Sequence, residues 1–588
     1  MPLPLQLAIK PIESPSIGPW YKGFEPRVEI LPKGWDGIDG MPLQSDILVQ
    51  HDVAVKVRDG CTLYCDIFRP ADSGPGNKIP AIVAWSPFGK KYNSEGLLVH
   101  LPWRVGVRKD ELSGLAKFEA PDPATFCARG YAVVNVDSRG AGDSDGSMVI
   151  MGSQEAEDGY DFIESLARMD WCTGNIGLAG NSHLAIVQWF IAALRPPSLK
   201  AIAPWEGAAD LYREQFVRGG AWDSGLFDFI TQHIIRGRHG MEDFAEMYKR
   251  SPLQNDYWKD KRANIKNINI PAYITASYST ALHTMGAIRG YLEVDNPNVW
   301  LRWTSTQEWH DIWAVPESIQ ELGDFFDRYL KGIKNDWERT PKVRMTVLKF
   351  GNEDPVYPIN LEDYPVPNTD YRKLYLTSQN KLSANPPTEE GHISYNSEGN
   401  SQEFVSFNHT FMEKTQLVGL PKAIIYVSCD EFDDLTLYVL LRKLDCNGEP
   451  MFNLNIPWHR APVARIEDIE EKDQAAVILY MGPLGILRAS HRNIDESKSL
   501  HPQYPFHPHD REEKITPGTV VKLEIGIWAM GIEYQAGESI SVQISGNFPL
   551  IAEYRDGSEI PPLEVKNRGR HKIHFGGEYP SHVILPFI

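Results

Sequence analysis

Ile176-Gly177-Leu178-Ala179-Gly180-Asn181-Ser182-His183-Leu184-Ala185 is the stretch that decides the fold. Residues 176–179 form a short apolar run entered through a Gly/Asn turn, and residues 183–194 continue at once with a helical pattern. A strand, a tight turn carrying serine, and a helix in direct succession is the setting a serine nucleophile needs. The turn exposes Oγ, and the helix N-terminus offers backbone N–H groups and a dipole that favours developing negative charge. Gly180 and Ala185 are small enough to let strand and helix approach closely. Gly-x-Ser alone is common by chance. The strand–turn–helix setting makes Ser182 a candidate nucleophile rather than an ordinary N-cap serine, and the His183 N–H the first candidate oxyanion donor.

Outward from this point, strand-like and helix-like runs alternate from about residue 53 to 330, the pattern of an α/β sheet. Residues 53–57 and 62–68 flank Arg58-Asp59-Gly60 and predict a hairpin with Asp-Gly at its turn. Residues 80–85, 131–136, 201–203 and 271–276 are continuous apolar runs. Such runs imply burial on both faces, hence a parallel sheet covered by helices. Residues 206–266 carry aromatics at helical spacing (Phe227, Phe229, then Phe244, Tyr248), and predict a helical cap over the C-terminal edge of the sheet. From about residue 341, β-rich runs at 344–348, 423–427, 520–527 and 540–544 predict an antiparallel sandwich. The expected organisation is an α/β domain in two parts, 1–205 and 267–340, a helical cap at 206–266 and a β-sandwich at 341–588.

Composition bounds the function without naming it. Across 588 residues, 42% hydrophobic and 23% charged content match an ordinary globular protein. They exclude a disordered chain, a collagen-like repeat and a small disulfide scaffold. The net charge of −19 is diffuse, which argues against nucleic acid or anionic membrane as a partner. No stretch approaches the roughly 20 apolar residues that span a bilayer. Residues 1–7 are broken by proline and do not read as a signal peptide. Six scattered cysteines without a CxxC pair read as reduced thiols in a cytoplasmic protein, not as a metal site.

Several further motifs carry a resemblance. They are Asp137-Ser138-Arg139-Gly140-Ala141-Gly142-Asp143-Ser144-Asp145-Gly146, Trp171-Cys172-Thr173-Gly174-Asn175-Ile176-Gly177, Leu282-His283-Thr284-Met285-Gly286, Phe325-Phe326-Asp327-Arg328-Tyr329-Leu330 and Asn567-Arg568-Gly569-Arg570-His571. Together with the Ser182 elbow they resemble, in order along the chain, the CocE/NonD hydrolases (cocaine esterase, X-Pro dipeptidyl-peptidase and α-amino-acid ester hydrolase). The resemblance implies an α/β-hydrolase fold with a helical cap and a C-terminal jelly roll. It also implies ester or amide hydrolysis through a Ser–His–Asp triad, without metal or cofactor.

Three positions depart from that pattern. The resemblance places an oxyanion tyrosine in the loop Ser86-Pro87-Phe88-Gly89-Lys90, where Phe88 has no hydroxyl, and Tyr92 is the nearest phenol in sequence. It places the triad acid in Ser277-Tyr278-Ser279-Thr280, where Ser279 carries no charge to orient an imidazole. It places the histidine at Thr304, which cannot act as a base near neutral pH. His310, in Gln307-Glu308-Trp309-His310-Asp311, is the candidate displaced base. His183 and His283 are further acid/base candidates, read first as a packing and a structural residue. Arg139 and Asp143 are expected to tie their loop together, and Asp158 to lie on a solvated helix face. Trp205, Trp222, Phe227 and Phe229 suggest an apolar or aromatic small-molecule substrate, and a homo-oligomer is among the family's habits. Three functions are carried forward. The first is an enzyme with a degenerate triad that performs non-hydrolytic chemistry such as cyclisation, isomerisation or acyl transfer. The others are a serine hydrolase with a displaced histidine, and a non-catalytic binding protein.

Overall fold

The computed structural model describes residues 6–18, 21–223, 225–278, 283–398, 403–549, 551 and 567–588. The chain forms two units: Met1–Leu211 with Leu226–Pro252 and Asp256–Pro341, and Tyr212–Gly225 with Leu253–Asn255 and Lys342–Ile588.

The first unit is built on strands β1 (Arg27–Leu31), β2 (Ile47–Lys56), β3 (Thr62–Pro70), β4 (Ile79–Ser86), β5 (Ala132–Asp137), β6 (Cys172–Asn181), β7 (Leu199–Trp205), β8 (Ala272–Ser277) and β9 (Val299–Thr304). Their neighbour order is β9-β8-β7-β6-β4-β5-β3-β2-β1. From β9 to β5 all pairs are parallel, and β3, β2 and β1 add antiparallel partners. Every residue of β4, β5 and β8 is buried, as uninterrupted apolar strands require. The Asp-Gly hairpin closes between β2 and β3, with Lys56 opposite Thr62 and Gly60 at a φ of 90°.

Helices α1 (Ser153–Leu166), α2 (His183–Ala193), α3 (Thr284–Glu293), α4 (Glu308–Ala314) and α5 (Pro316–Leu330) complete this unit's central layers. All eleven residues of α2 are buried, so it is a core helix rather than an amphipathic one. On α5 only one stripe, including Leu322, Phe325, Phe326 and Leu330, is buried. Phe326 lies so close to β6 that a Cβ at Gly177 would meet its Cε1 at 2.6 Å.

The stretch expected as one cap is divided between the units. Phe244–Arg250 and Asp256–Asp260 are helices of the first unit, where Phe227 meets Phe244 edge-to-face at 5.0 Å. Tyr212–Gly225 belongs to the second unit. There Arg218 sits 4.0 Å over the Trp528 ring, and the Gly219 carbonyl accepts from Arg488 N at 2.7 Å. In the same unit Thr436–Leu444 and Ser539–Ser545 pair antiparallel, flanked by Phe404–Thr410 and Leu484–Arg488. A second sheet is centred on Lys422–Cys429, which pairs with Val521–Gly526, Arg570–Phe575 and His582–Phe587. This is the predicted β-rich C-terminal architecture.

Two expectations about the Asp137–Gly146 loop need correction. Arg139 does not bond within its loop. Its guanidinium forks onto Asp158 of α1 through two 2.7 Å contacts, and Asp158 is buried, not on a solvated face. A planar five-donor cation can reach across to a helix and shield its carboxylate from water. Asp143 is tied instead to Arg238 at 2.6 Å and Tyr21 at 2.8 Å. Below this loop Lys90 is enclosed by Asp52 at 2.8 Å, Asp137 at 3.0 Å and Asp143 at 3.7 Å. No helix among the described residues is long and apolar enough to cross a membrane, and all six cysteines are free.

Candidate active site

Ser182 occupies the turn between β6 and α2 with φ 54° and ψ −120°, a strained conformation that only a tightly held turn maintains. Gly180, at φ 139°, makes the turn possible: a Cβ there would meet Leu184 Cβ at 2.6 Å and the Glu119 carbonyl at 3.0 Å. Backbone bonds then clamp the elbow from two sides. Asn181 N donates to Glu119 O at 3.0 Å, and Ser182 N to Glu206 O at 3.1 Å. Glu119 (φ 64°) and Glu206 (φ 60°) are themselves left-handed, so three strained residues converge on one point.

The imidazole beside the serine is that of His283. Its Nε2 lies 3.4 Å from Ser182 Oγ, and its Nδ1 lies 3.4 Å from Glu308 Oε2, an ion-pair distance without hydrogen-bond alignment. His283 is the N-cap of α3 and Glu308 the first residue of α4, so each is fixed by the start of a helix just past a strand end. Asn181 Nδ2 donates to the Glu308 carbonyl at 3.0 Å and ties α4 to the elbow. Glu206, the residue after β7, accepts from Ser277 Oγ at 2.7 Å and bonds to Glu308 side by side. Glu119 completes the group, with Trp309 Nε1 donating to its Oε1 at 3.4 Å.

All four ionisable groups are buried, and burial dominates their chemistry. It pulls the His283 imidazole down to about 4, although the Glu206 carboxyl draws it the other way. It pushes Glu308 up to about 8, against the stabilising bond from Glu206. Burial and the neighbouring Glu308 raise both Glu206 and Glu119 well above the usual carboxylate range. Near neutral pH the site therefore holds a neutral imidazole among carboxylic acids. Donor atoms of Glu206, His283 and Glu308 lie within 4.8 Å of one another, close enough to enclose a cation. The Ser277–Glu206–Glu308 bonds and the alignment of His283 with Ser182 make a proton relay the better description of that trio.

The other sequence candidates are placed as follows. His310 is buried on α4 and is not a hydrogen-bond partner of Ser182. Its neighbour Asp311 is committed to Arg302 and Ser318. His183 turns its imidazole away from the elbow onto Glu155 at 3.1 Å, while its N–H stays in the first turn of α2. Thr304 ends β9 opposite Ser277, with its hydroxyl directed to Thr306 O at 3.4 Å. Ser279 lies outside the described residues. Phe88 packs on Phe118 at 5.0 Å and near His183 at 6.1 Å. Phe88 and Tyr92, with Tyr21, Lys90, Ile234 and Arg236, line a cleft of about 220 Å³ whose walls do not include Ser182. Burial pushes the Tyr92 phenol up to about 12. Sequence reasoning missed Glu119 and Glu206 as site residues and took Glu308 only as a possible orienter of His310. One signal was available for two of them: a carboxylate just past a strand's C-terminal end, where α/β sheets place ligand-facing groups.

This combination of sheet, elbow and separate β-rich unit defines an α/β-hydrolase-fold enzyme of the serine class. Comparison with known proteins agrees. Residues 59–313 match the X-Pro dipeptidyl-peptidase (S15 family) model, and residues 335–584 match the X-Pro dipeptidyl-peptidase C-terminal non-catalytic domain. A CocE/NonD family hydrolase of Staphylococcus aureus is 31% identical, with a TM-score of 0.83 over 92% of this chain and 94% of that one. The cocaine esterase of Rhodococcus sp. (strain MB1 Bresler) is 24% identical over 92% of this chain and 98% of its own. An α-amino-acid ester hydrolase, 16% identical with a TM-score of 0.68 over 92% of this chain and 97% of that one, shares the fold. The chain belongs to the CocE/NonD family of hydrolases.

Proposed function

We propose that this protein hydrolyses a carboxylic ester or amide of a small molecule, with Ser182 as nucleophile, His283 as base and Glu308 as the carboxyl behind it. The observation that carries this reading is the approach of His283 Nε2 to Ser182 Oγ at 3.4 Å, with Glu308 on the far side of the ring. Unliganded hydrolases often hold this contact loosely and tighten it when substrate binds. His283 takes the Ser182 proton as Oγ attacks the carbonyl. The negative charge that develops on the carbonyl oxygen meets the His183 N–H, one of the first-turn amides that have no partner within the helix. His283 then hands its proton to the departing alkoxide or amine, and water repeats the sequence to release the acid. Glu308 steadies the imidazolium once it is ionised, which favours turnover on the alkaline side of neutrality.

Non-hydrolytic chemistry is the second reading. Protonated Glu206 and Glu119 beside a neutral imidazole favour it, since such a site can deliver and remove protons without forming an acyl-enzyme. Stopped-flow kinetics with p-nitrophenyl esters separate the two. A burst of nitrophenol equal to the enzyme concentration, absent in Ser182→Ala, supports hydrolysis. Absence of both burst and steady-state release leaves the proton-transfer reading in its place.

A further inference from the structure

The serine-hydrolase reading leaves one requirement open. A developing oxyanion is normally held by two donors or more, and the elbow supplies the His183 N–H. The loop after β4 is the natural source of a second, yet its amides are largely committed. Phe88 N donates to Ser86 Oγ at 3.0 Å, Lys90 N to Asp137 and Tyr92 N to Gly89 O at 3.1 Å. Phe88 offers no hydroxyl. On the same wall, Phe118 lies between Phe88 at 5.0 Å and Trp309 at 5.4 Å, and the next residue is Glu119.

Glu119 stands beside the nucleophile elbow. Its carbonyl receives Asn181 N at 3.0 Å and its left-handed backbone faces the elbow. Its Oε1 accepts from Trp309 Nε1 at 3.4 Å. Its Oε2 is fully buried and has no hydrogen-bond partner among the described residues, and the Ser182 hydroxyl lies near enough to influence the carboxyl. A buried polar atom without a partner, beside a strained nucleophile, calls for an explanation in function.

We propose that Glu119 acts as a carboxylic acid whose O–H is the second oxyanion donor at Ser182. Burial and the facing Glu308 carboxyl keep it protonated. An ionised Glu308, placed against His283, raises Glu119 further. Environments that push two carboxyls apart in this way assign them opposite roles. In the acylation step the Ser182 proton moves to His283 and the Oγ–carbon bond forms. The carbonyl electron pair goes to oxygen, which accepts the Glu119 O–H bond without taking its proton. Collapse of the adduct expels the leaving group, which takes the proton from His283, and Glu119 ends as it began.

The experiment compares wild type, Glu119→Gln and Glu119→Ala in p-nitrophenyl butyrate turnover and in inhibition by phenylboronic acid, which forms a tetrahedral serine adduct. The amide of Gln also donates, so Glu119→Gln keeps kcat within about tenfold of wild type and extends its activity to higher pH. Glu119→Ala loses roughly 10²–10³ in kcat with KM within about twofold, and its boronate Ki weakens in step. A Glu119→Ala enzyme within about threefold of wild-type kcat overturns the proposal. So does an equal loss in both variants with an unchanged boronate Ki. A wild type without ester turnover overturns the parent hydrolase reading and this one together, whereas an active wild type with an indifferent Glu119→Ala overturns this one alone.

Discussion

Replacing Glu308 with glutamine separates what this carboxyl does for folding from what it does for the reaction. In the unfolded chain the acid ionises near 4.5, whereas in the folded site burial moves it to about 8. Between those values the folded state holds a proton that the unfolded state has released. Stability from this group is therefore full below pH 4.5 and is lost as pH rises through 8. At about 1.4 kcal/mol for each pH step, the loss approaches about 5 kcal/mol. Relaxation and water entry around the ionised site reduce it to about 2–3 kcal/mol. Glutamine is neutral throughout and carries no such penalty. Urea unfolding at pH 5 and pH 9 is the assay: the wild type loses those few kcal/mol between the two, and Glu308→Gln varies less by about the same amount. The same substitution removes the charge behind His283, so kcat/KM falls roughly 10²–10⁴-fold at pH 8. Parallel pH–stability curves, or a less stable variant at pH 9 with intact turnover, would refute the placement of Glu308 as a buried acid serving His283.

Further predictions concern the rest of the site. His283→Asn lowers ester turnover at least roughly 10³-fold, whereas His310→Asn, if it folds, stays within about tenfold, as paired kcat/KM measurements will read. Burial has drawn the His283 imidazole down to about 4. It therefore remains a neutral base well below pH 6.5, and the acid limb of kcat/KM follows the ionisation of Glu308, on the alkaline side of neutrality, rather than the ordinary histidine value. Gly180→Ala forces a Cβ to 2.6 Å from Leu184 Cβ at a φ of 139°. It costs about 2–4 kcal/mol in thermal or urea unfolding and reduces Ser182 reactivity with it. Lys90→Met leaves Asp52, Asp137 and Asp143 buried without their shared cation. A loss of about 3–5 kcal/mol in urea unfolding at pH 7 is expected.

The fold could be read from local pattern because its determinants are local. Continuous apolar strands, an Asp-Gly hairpin and a Gly-x-Ser turn between strand and helix each express a constraint within ten residues. The position of Ser182 at the turn was legible for the same reason. The imidazole beside it was not: His283 stands 101 positions from Ser182, and only the packing of α3 against the sheet brings its ring to the elbow. Proximity in sequence to two carboxylates favoured His310, yet helix α4 presents Glu308 to His283 and commits Asp311 to Arg302 and Ser318. Asp158 looked solvent-facing because charge on a helix usually is. A distant arginine, Arg139, reverses that expectation. Glu119 carried no motif at all, since what marks it is a left-handed backbone that sequence does not display.

An activated Ser182 driven by His283 reacts covalently with a phosphonylating reagent. Intact-protein and peptide mass spectrometry after treatment with a fluorophosphonate tests it directly. The account predicts one adduct per chain, on Ser182, formed rapidly in wild type and in His310→Asn and slowed at least roughly 10³-fold in His283→Asn. An unmodified Ser182 in wild type, or labelling that survives in His283→Asn and disappears in His310→Asn, would contradict it.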